Sequence, residues 1–262
     1  MISDNILKVE NLYFSYNKSN DYILEKISFS LNRSEILVIL GQSGCGKTTL
    51  FKNLLGLLKP QKGKIYIENE VLEPSSKKKL KRYYHKIGVL FQSGALLNSL
   101  SIYENLKLPL DENTHLSEPL KDIMINLKLK WVGLAHAKNL MPSELSGGMK
   151  KRVALVRAII LDPKILFFDE PHSGLDPIVT SDINKLILRI RDAFKISMVV
   201  ITHDMNSALF LADKLLMLKD GKTHFYGTKS EFENIVKSDE YINEFVNVST
   251  ANLNNNNSNK HK

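Results

Sequence analysis

Apolar residues come in short blocks along this chain, and the spacing inside the blocks changes with position. Leu7, Val9, Leu12, Phe14 and Tyr16 alternate in part, which predicts a strand over 7–16. Asn17-Lys18-Ser19-Asn20-Asp21 predicts a turn, and Ile23, Ile27, Phe29 and Leu31 predict a second strand over 22–31. Together these strands make an antiparallel layer ahead of the rest. Other blocks are unbroken: Ile36 to Leu40, Ile87 to Phe91, Ile165 to Phe168 and Met198 to Ile201. Each reads as a buried strand of an α/β sheet. Helices are predicted over Lys47 to Leu57, Glu118 to Lys130, Lys150 to Leu161 and Ile178 to Phe194. In Glu118 to Lys130, Ile123, Leu127 and Lys130 are spaced around the faces of an amphipathic helix. Another helix starts at the N-cap candidate Ser101 and runs through Leu108, where Pro109 is expected to end it. Gly56 to Lys64 interrupts the first helix, and Ile65 to Ile67 is a short strand. Asp220-Gly221 between two apolar runs, Lys214 to Lys219 and Thr223 to Tyr226, is a hairpin signal. Thr228 to Val236 and Asp239 to Phe245 read as short helices. From Asn252 onward 6 of 11 residues are asparagine, so that tail is expected to be disordered.

The candidate chemistry sits where buried strands end. Gly41-Gln42-Ser43-Gly44-Cys45-Gly46-Lys47-Thr48-Thr49 fits G-x-x-x-x-G-K-[ST] at every fixed position, between a strand and a helix as that motif requires. Gly41, Gly44 and Gly46 let the backbone wrap so that its N–H groups face phosphate oxygens, and the helix adds the positive end of its dipole. Lys47 is placed to bridge the β- and γ-phosphates, and the Thr48 hydroxyl to hold Mg²⁺. Gln92 follows the strand at 87–91, where it either orients water, reaches Mg²⁺ or makes a loop hydrogen bond. Asp169 and Glu170 close another buried strand; one carboxylate suits Mg²⁺ and the other suits taking a proton from water. On an extended strand end the two point to opposite sides. His203 follows the strand that ends at Thr202 and is either a third functional strand-end group or a structural histidine. Ser146, followed by Gly147 and Gly148 at a helix start, is either a second anion site or a plain cap. Tyr16 either stacks on an adenine face or is a half-buried strand aromatic.

Composition adds bounds. With 262 residues, one or two domains and a full α/β core are accessible. No apolar run approaches the roughly 18–20 residues of a membrane span, and Met1 to Glu10 does not read as a secretory leader. The single cysteine, Cys45, excludes a disulfide framework and fits a cytosolic location. The Asn247-Val248-Ser249 sequon is accordingly a chance match. Net charge is +8, which suits nucleic acid, an acidic membrane surface or plain solubility. Its densest cluster, Lys77-Lys78-Lys79-Leu80-Lys81-Arg82, lacks an aromatic platform for bases and reads as a solvated helix face.

Taken in order, the motifs GQSGCGKTT, Phe91-Gln92, LSGGM, ILFFDE, SGLDP and ITHD resemble the ATP-binding cassette (ABC) ATPase family over about Leu7 to Phe245. The resemblance implies a P-loop α/β fold with a RecA-like core, an antiparallel β-layer and a helical subdomain at about 93–161. Residues 246–262 fall outside it. It implies ATP and Mg²⁺ as cofactors and a head-to-tail homodimer with two ATP molecules at its interface. Lys47, Thr48, Gln92, Asp169, Glu170 and His203 of one subunit would meet Ser146, Gly147 and Gly148 of the other, with Asp176 at the same interface. Thr48, Gln92 and Asp169 would serve the metal, Glu170 would be the general base, His203 would sense the γ-phosphate, and Tyr16 would stack on adenine.

The stretches FQSGALLNSLSIYENLKLPL and MPSELSGGMKKRVALVRAI look like the ATPase of Mla-type phospholipid transporters. That subfamily works with an integral membrane permease and an MCE-class lipid-binding protein, at the cytoplasmic face of the inner membrane. The expectation is therefore an ATP hydrolase that drives phospholipid movement between bacterial envelope membranes, with Ser93 to Leu110 facing the permease and no nucleic-acid partner. The rivals are an importer ATPase for amino acids or another small solute, and a soluble non-transport ABC regulator. Met149 stands where the wider family has glutamine, and His172 where Thr or Phe is more usual.

Overall fold

The computed structural model describes residues 5–17 and 21–248. The predicted turn at 17–21 lies largely outside these residues, as do the asparagine-rich tail and Ser249 of the sequon. Two compact units emerge: one holds the described residues up to Leu80 and those from Val199 onward, the other is Lys81–Met198.

In the first unit, β1 (Asn5–Phe14) and β2 (Leu24–Asn32) pair antiparallel, with Val9 opposite Phe29 and Leu12 opposite Ile27. β4 (Lys62–Ile67) pairs on the other side of β1, and the short β5 (Glu70–Val71) completes the order β2-β1-β4-β5. Alternation places Leu7, Val9 and Leu12 in the core while Lys8 stays exposed. β1 stops at Phe14, so Tyr16 lies beyond the strand predicted to include it. A second layer is built from β3 (Ile36–Leu40), β8 (Ser197–Ile201, mostly in this unit) and β9 (Lys214–Lys219). β3 runs parallel to β9 with Leu40 opposite Met217, and β10 (Lys222–Thr228) folds back on β9. Asp220 and Gly221 both take positive φ, 48° and 74°, as a type I′ hairpin turn demands. All five residues of β3 are buried, which accounts for its unbroken apolar run. The helix after the phosphate loop is shorter than expected, α1 (Lys47–Leu54), because Leu55 caps it and Gly56 turns at φ 71°.

The second unit holds the parallel pair β6 (Ile87–Leu90) and β7 (Ile165–Asp169), with Ile87 opposite Ile165 and Leu90 opposite Phe168. Around it lie α3 (Ile102–Asn113), α4 (Glu118–Trp131), α5 (Gly147–Ala158) and α6 (Pro177–Phe194). Ser101 caps α3 as expected, in a capping box with Glu104. Pro109 does not end that helix; it sits inside α3. Only the ladder bond from its missing N–H is lost, while buried Ile102, Leu106 and Leu110 hold the helix on both sides. Thr114 closes the end, donating its N–H and hydroxyl to the Leu110 carbonyl at 2.9 and 2.7 Å. On α4, Ile125 and Leu129 face the core, whereas Ile123 and Leu127 are exposed. The basic run 77–82 lies on α2 (Lys77–Tyr84), its lysines and Arg82 exposed as a solvated face should be. Among the described residues, no helix is long and apolar enough to cross a membrane.

β6 lies against α5 so closely that a Cβ on Gly88 would stand 2.0 Å from the Ala158 carbonyl oxygen. Backbone cannot yield as a flexible side chain can, so Gly88→Ala is expected to cost about 1–3 kcal/mol or more of stability. Urea unfolding of the purified variant checks this, and a midpoint equal to that of the parent contradicts the packing described.

Candidate functional site

The first unit carries the phosphate loop. Buried β3 delivers the chain to Gly41, whose Cβ, if present, would lie 2.5 Å from both the Leu218 carbonyl oxygen and the Cys45 sulfur. Gly46 begins α1 with φ 105°, and a Cβ there would meet Leu24 at 2.8 Å. Gly44 needs its freedom only for its φ of 81°. Gln42, Ser43, Gly44 and Thr48 are exposed at the lip, while Cys45 and Thr49 are buried behind it. Burial pushes the Cys45 thiol above its ordinary range, with the Lys47 ammonium pulling the other way. The lysine folds back on its own loop, donating to the Gly41 carbonyl at 2.6 Å and the Gln42 carbonyl at 2.9 Å. An ammonium held by two neutral carbonyls, with the Cys45 sulfur at 3.9 Å, is placed to prefer an anion. Tyr16 is 54% exposed, with its ring edge-on to Phe14 and its hydroxyl 3.5 Å from the Thr49 hydroxyl. It is therefore a largely open aromatic face beside the loop's helix rather than a half-buried strand residue. His203 is exposed one residue beyond buried Thr202, whose N–H donates to the Ile39 carbonyl at 3.3 Å. Asp204 then caps α7 (Met205–Leu211), accepting from the Asn206 N–H.

The second unit gathers Gln92, Asp169 and Glu170 around a buried lysine. Lys151, on α5, donates its ammonium to the Gln92 carbonyl. Burial pulls its pKa below the ordinary lysine value, against the charges of Glu170 and Asp169, which favour the ammonium. The Gln92 side-chain amide donates to the Ser173 hydroxyl at 3.0 Å. Arg157, two turns further along α5, donates to the Gly94 and Ala95 carbonyls at 3.0 and 2.7 Å. The loop after β6 is thus held at two points by the helix that begins at Gly147. Sequence reading named Gln92 but missed Lys151, Arg157 and Ser173. The signal for Lys151 was there: it shares a helix face with Ala154 and Ala158, where a cation needs a buried partner.

Asp169 ends β7, but Glu170 does not continue the strand. Its φ is 47°, so a left-handed turn, not the pleat, separates the two carboxylates, which corrects the extended reading. A non-glycine residue in that region costs roughly 1 kcal/mol, a cost met where position matters more than stability. His172 is buried, and its carbonyl accepts from the Leu175 N–H at 3.1 Å. Asp176 caps α6, accepting from the Ile178 and Val179 N–H groups at 2.9 and 3.0 Å.

Ser146 is the N-cap of α5, which starts at Gly147 rather than Lys150; its hydroxyl accepts from the Met149 N–H at 3.3 Å. Ser146 and Gly147 are exposed and Gly148 half-buried. The Thr48 hydroxyl in the first unit, and the Gln92 side-chain carbonyl and Asp169 carboxylate in the second, are each hard oxygen donors. That suits Mg²⁺, which keeps its waters and takes phosphate oxygens rather than a cage of carboxylates. No cluster of three or more His, Cys, Asp or Glu suited to a metal occurs among the described residues.

The ABC transporter family model matches residues 24–173. The intermembrane phospholipid transport system ATP-binding protein MlaF of Haemophilus influenzae is 39% identical over 230 residues, covering 88% of this chain and 86% of that protein. Among solved structures, CbiO1 from Clostridium perfringens, part of the ABC transporter complex cbiONQ, aligns with TM-score 0.82 and 32% identity over 90% of this chain and 94% of that one. The ATP-binding cassette MJ0796, a dimer in a post-hydrolysis state bound to ADP and Pi, aligns with TM-score 0.76 and 30% identity over 85% of this chain and 98% of that one.

The two signature glycines differ in what surrounds them. A Cβ on Gly148 would stand 2.7 Å from Val179, whereas one on Gly147 would meet only Leu175 at an ordinary 3.5 Å. Gly148→Ala is expected to lose about 1–3 kcal/mol of stability, and Gly147→Ala to change it by less than about 1 kcal/mol. Parallel urea titrations measure the contrast; equal losses contradict it.

Proposed function

The chain belongs to the ABC transporter family, and we propose that it is the ATPase subunit driving phospholipid movement between bacterial envelope membranes. Membership carries nucleotide binding and ATP hydrolysis with it. One observation supports the lipid cargo above all: the match to a phospholipid transport ATPase runs along 88% of the chain. The small-solute importer and the soluble regulator are the less favoured readings. The ATPase works as a homodimer on an integral membrane permease, together with an MCE-type lipid-binding protein, peripheral to the cytoplasmic face of the inner membrane. The cargo site lies in those partners.

The residue roles follow from the chemistry each can perform. Backbone N–H groups of Gly41 to Thr49 receive the phosphates, and Lys47 exchanges its two loop carbonyls for phosphate oxygens. Tyr16 offers its exposed ring to adenine. Thr48, Asp169 and Gln92 would hold Mg²⁺, which when bound would supply neutralisation of phosphate charge. Glu170 takes the proton of the attacking water, and His203 donates to the γ-phosphate. Ser146, Gly147 and Gly148 present the start of α5 to the second subunit's nucleotide, with Asp176 at the same interface.

Glu170→Gln keeps shape and hydrogen bonding but removes the proton acceptor. Turnover is expected to fall about 10²–10⁴-fold, with ATP affinity retained and a closed dimer accumulating. Paired hydrolysis and nucleotide-binding assays decide; normal turnover, or lost binding, removes Glu170 from that role.

Leu97, 44% exposed on the segment after Gln92, is the contact expected to face the permease. Leu97→Glu should detach the subunit from detergent-solubilised membrane complexes and abolish ATP-driven phospholipid transfer in proteoliposomes, while the isolated subunit keeps its fold. A variant that still co-purifies and transfers lipid places the interface elsewhere. Parent complexes that move amino acids and no phospholipid sink the cargo assignment.

A further inference from the structure

Gln92 lies just past the end of β6, and side chains from two helices hold the loop that it begins. Lys151 of α5, which is buried, donates to the Gln92 carbonyl. Arg157 on the same helix donates to the Gly94 and Ala95 carbonyls at 3.0 and 2.7 Å. Buried Asn105 of α3 closes the far end. Its side-chain oxygen accepts from the Leu97 N–H at 2.8 Å, and its amide nitrogen donates to the Leu97, Leu100 and Ser101 carbonyls at 3.0, 3.0 and 2.9 Å. Backbone groups outside helices and strands need such partners. Here they fix where the main chain of Gln92 lies, while the residue itself stays exposed.

The Gln92 side chain is set separately. Its Nε2 donates to the Ser173 hydroxyl at 3.0 Å. Ser173 belongs to the turn after Glu170, and its own N–H donates to the Glu170 carbonyl at 3.2 Å. A primary amide donates through its nitrogen and accepts through its oxygen. With the nitrogen committed to Ser173, the oxygen is the end offered to a cation, and Mg²⁺ is a hard cation that takes oxygen donors. The opposite orientation would turn N–H groups toward the metal, and the residue would repel what it is read as binding.

We propose that Lys151 and Ser173 are positioning residues for Gln92, Lys151 through its main chain and Ser173 through its amide, so that the side-chain oxygen is the donor Gln92 offers to Mg²⁺. The proposal rests on the reading of Gln92 as a metal donor. Groups that orient a metal ligand from behind set affinity without touching the metal. Ser173 has to accept a hydrogen bond and not only fill space, so Ser173→Thr preserves its role and Ser173→Ala does not. Lys151 acts on the backbone of the same residue, and its loss lets that peptide turn and the amide with it. Arg157 and Asn105 hold the loop beyond Gln92 and leave the Gln92 carbonyl to Lys151.

The test uses the full chain, with Mn²⁺ as the probe for Mg²⁺ and a non-hydrolysable ATP analogue at saturation. Electron paramagnetic resonance of free Mn²⁺ gives its affinity for the protein–analogue complex, and urea unfolding reports stability separately. Losing one hydrogen bond of ordinary strength corresponds to about a fivefold weaker affinity. Ser173→Ala and Lys151→Met are each expected to weaken Mn²⁺ binding by about that factor, and Ser173→Thr to keep the parent affinity. Lower urea midpoints with unchanged Mn²⁺ affinity describe a purely structural role and overturn the proposal, as does a Ser173→Thr variant that behaves like Ser173→Ala. Gln92→Ala separates the two readings. If it leaves Mn²⁺ affinity at the parent value, the metal reading of Gln92 falls and the proposal with it. If it weakens Mn²⁺ binding while Ser173→Ala and Lys151→Met do not, only the positioning roles fall.

Discussion

The first unit depends on one close approach, the passage of the Gly41 backbone beside the Leu218 carbonyl. It follows from strand register. β3 and β9 run parallel with Leu40 opposite Met217, so the residue after each strand partner lands next to the other. There is no room for a side chain at that crossing, and only glycine leaves the loop free to curl back over the end of the sheet. The burial of all five β3 residues makes the position rigid. A loop that must present N–H groups to a phosphate gains from this rigidity, because the groups are aimed before the ligand arrives.

The second unit solves a different problem with buried cations. Lys151 meets the Gln92 carbonyl, and Lys128 meets the Ile159 carbonyl at 2.9 Å together with Asp162. Both lysines are nearly inaccessible to water. Helix ends and loops leave carbonyls without ladder partners, and a buried ammonium satisfies them while its own charge is offset. The consequence for function lies with Lys151. The carbonyl it holds belongs to Gln92, the glutamine proposed to serve Mg²⁺, and the helix it rides begins at the signature glycines. Motion of that glutamine loop therefore pulls on α5, and Arg157 adds a second attachment at Gly94 and Ala95.

How much of this was legible depends on whether the constraint is local. The phosphate-loop glycines, the Ser101 cap and the Asp220-Gly221 turn are local constraints, and the sequence names each of them. The buried strands β3, β7 and β8 were readable because burial on both faces leaves an unbroken apolar run. The Pro109 break failed because packing of Leu106 and Leu110 overrode a local propensity. Glu170 failed because nothing in ILFFDE signals where extension gives way to a left-handed turn. Ser173 under Gln92 is a pairing across 81 residues, beyond any periodic signal. The candidate site residues were thus nameable from motifs, while the groups that hold them were not.

Gly147 shows what a single chain leaves unexplained. Gly148 is required by Val179, Gly41 by Leu218, and Gly44 by its φ. Gly147 has ordinary space, and its φ is not among the left-handed ones. Glycine in a helix gives up roughly 0.5–1 kcal/mol relative to alanine, and nothing described in this chain returns that cost. A group that approached Gly147 from outside, closely enough for a methyl to obstruct it, would give glycine a use there. On our reading that group is the nucleotide of a second subunit, facing an exposed helix start whose Ser146 and first-turn N–H groups favour an anion. On that reading, the glycine serves the dimer rather than the packing of its own chain.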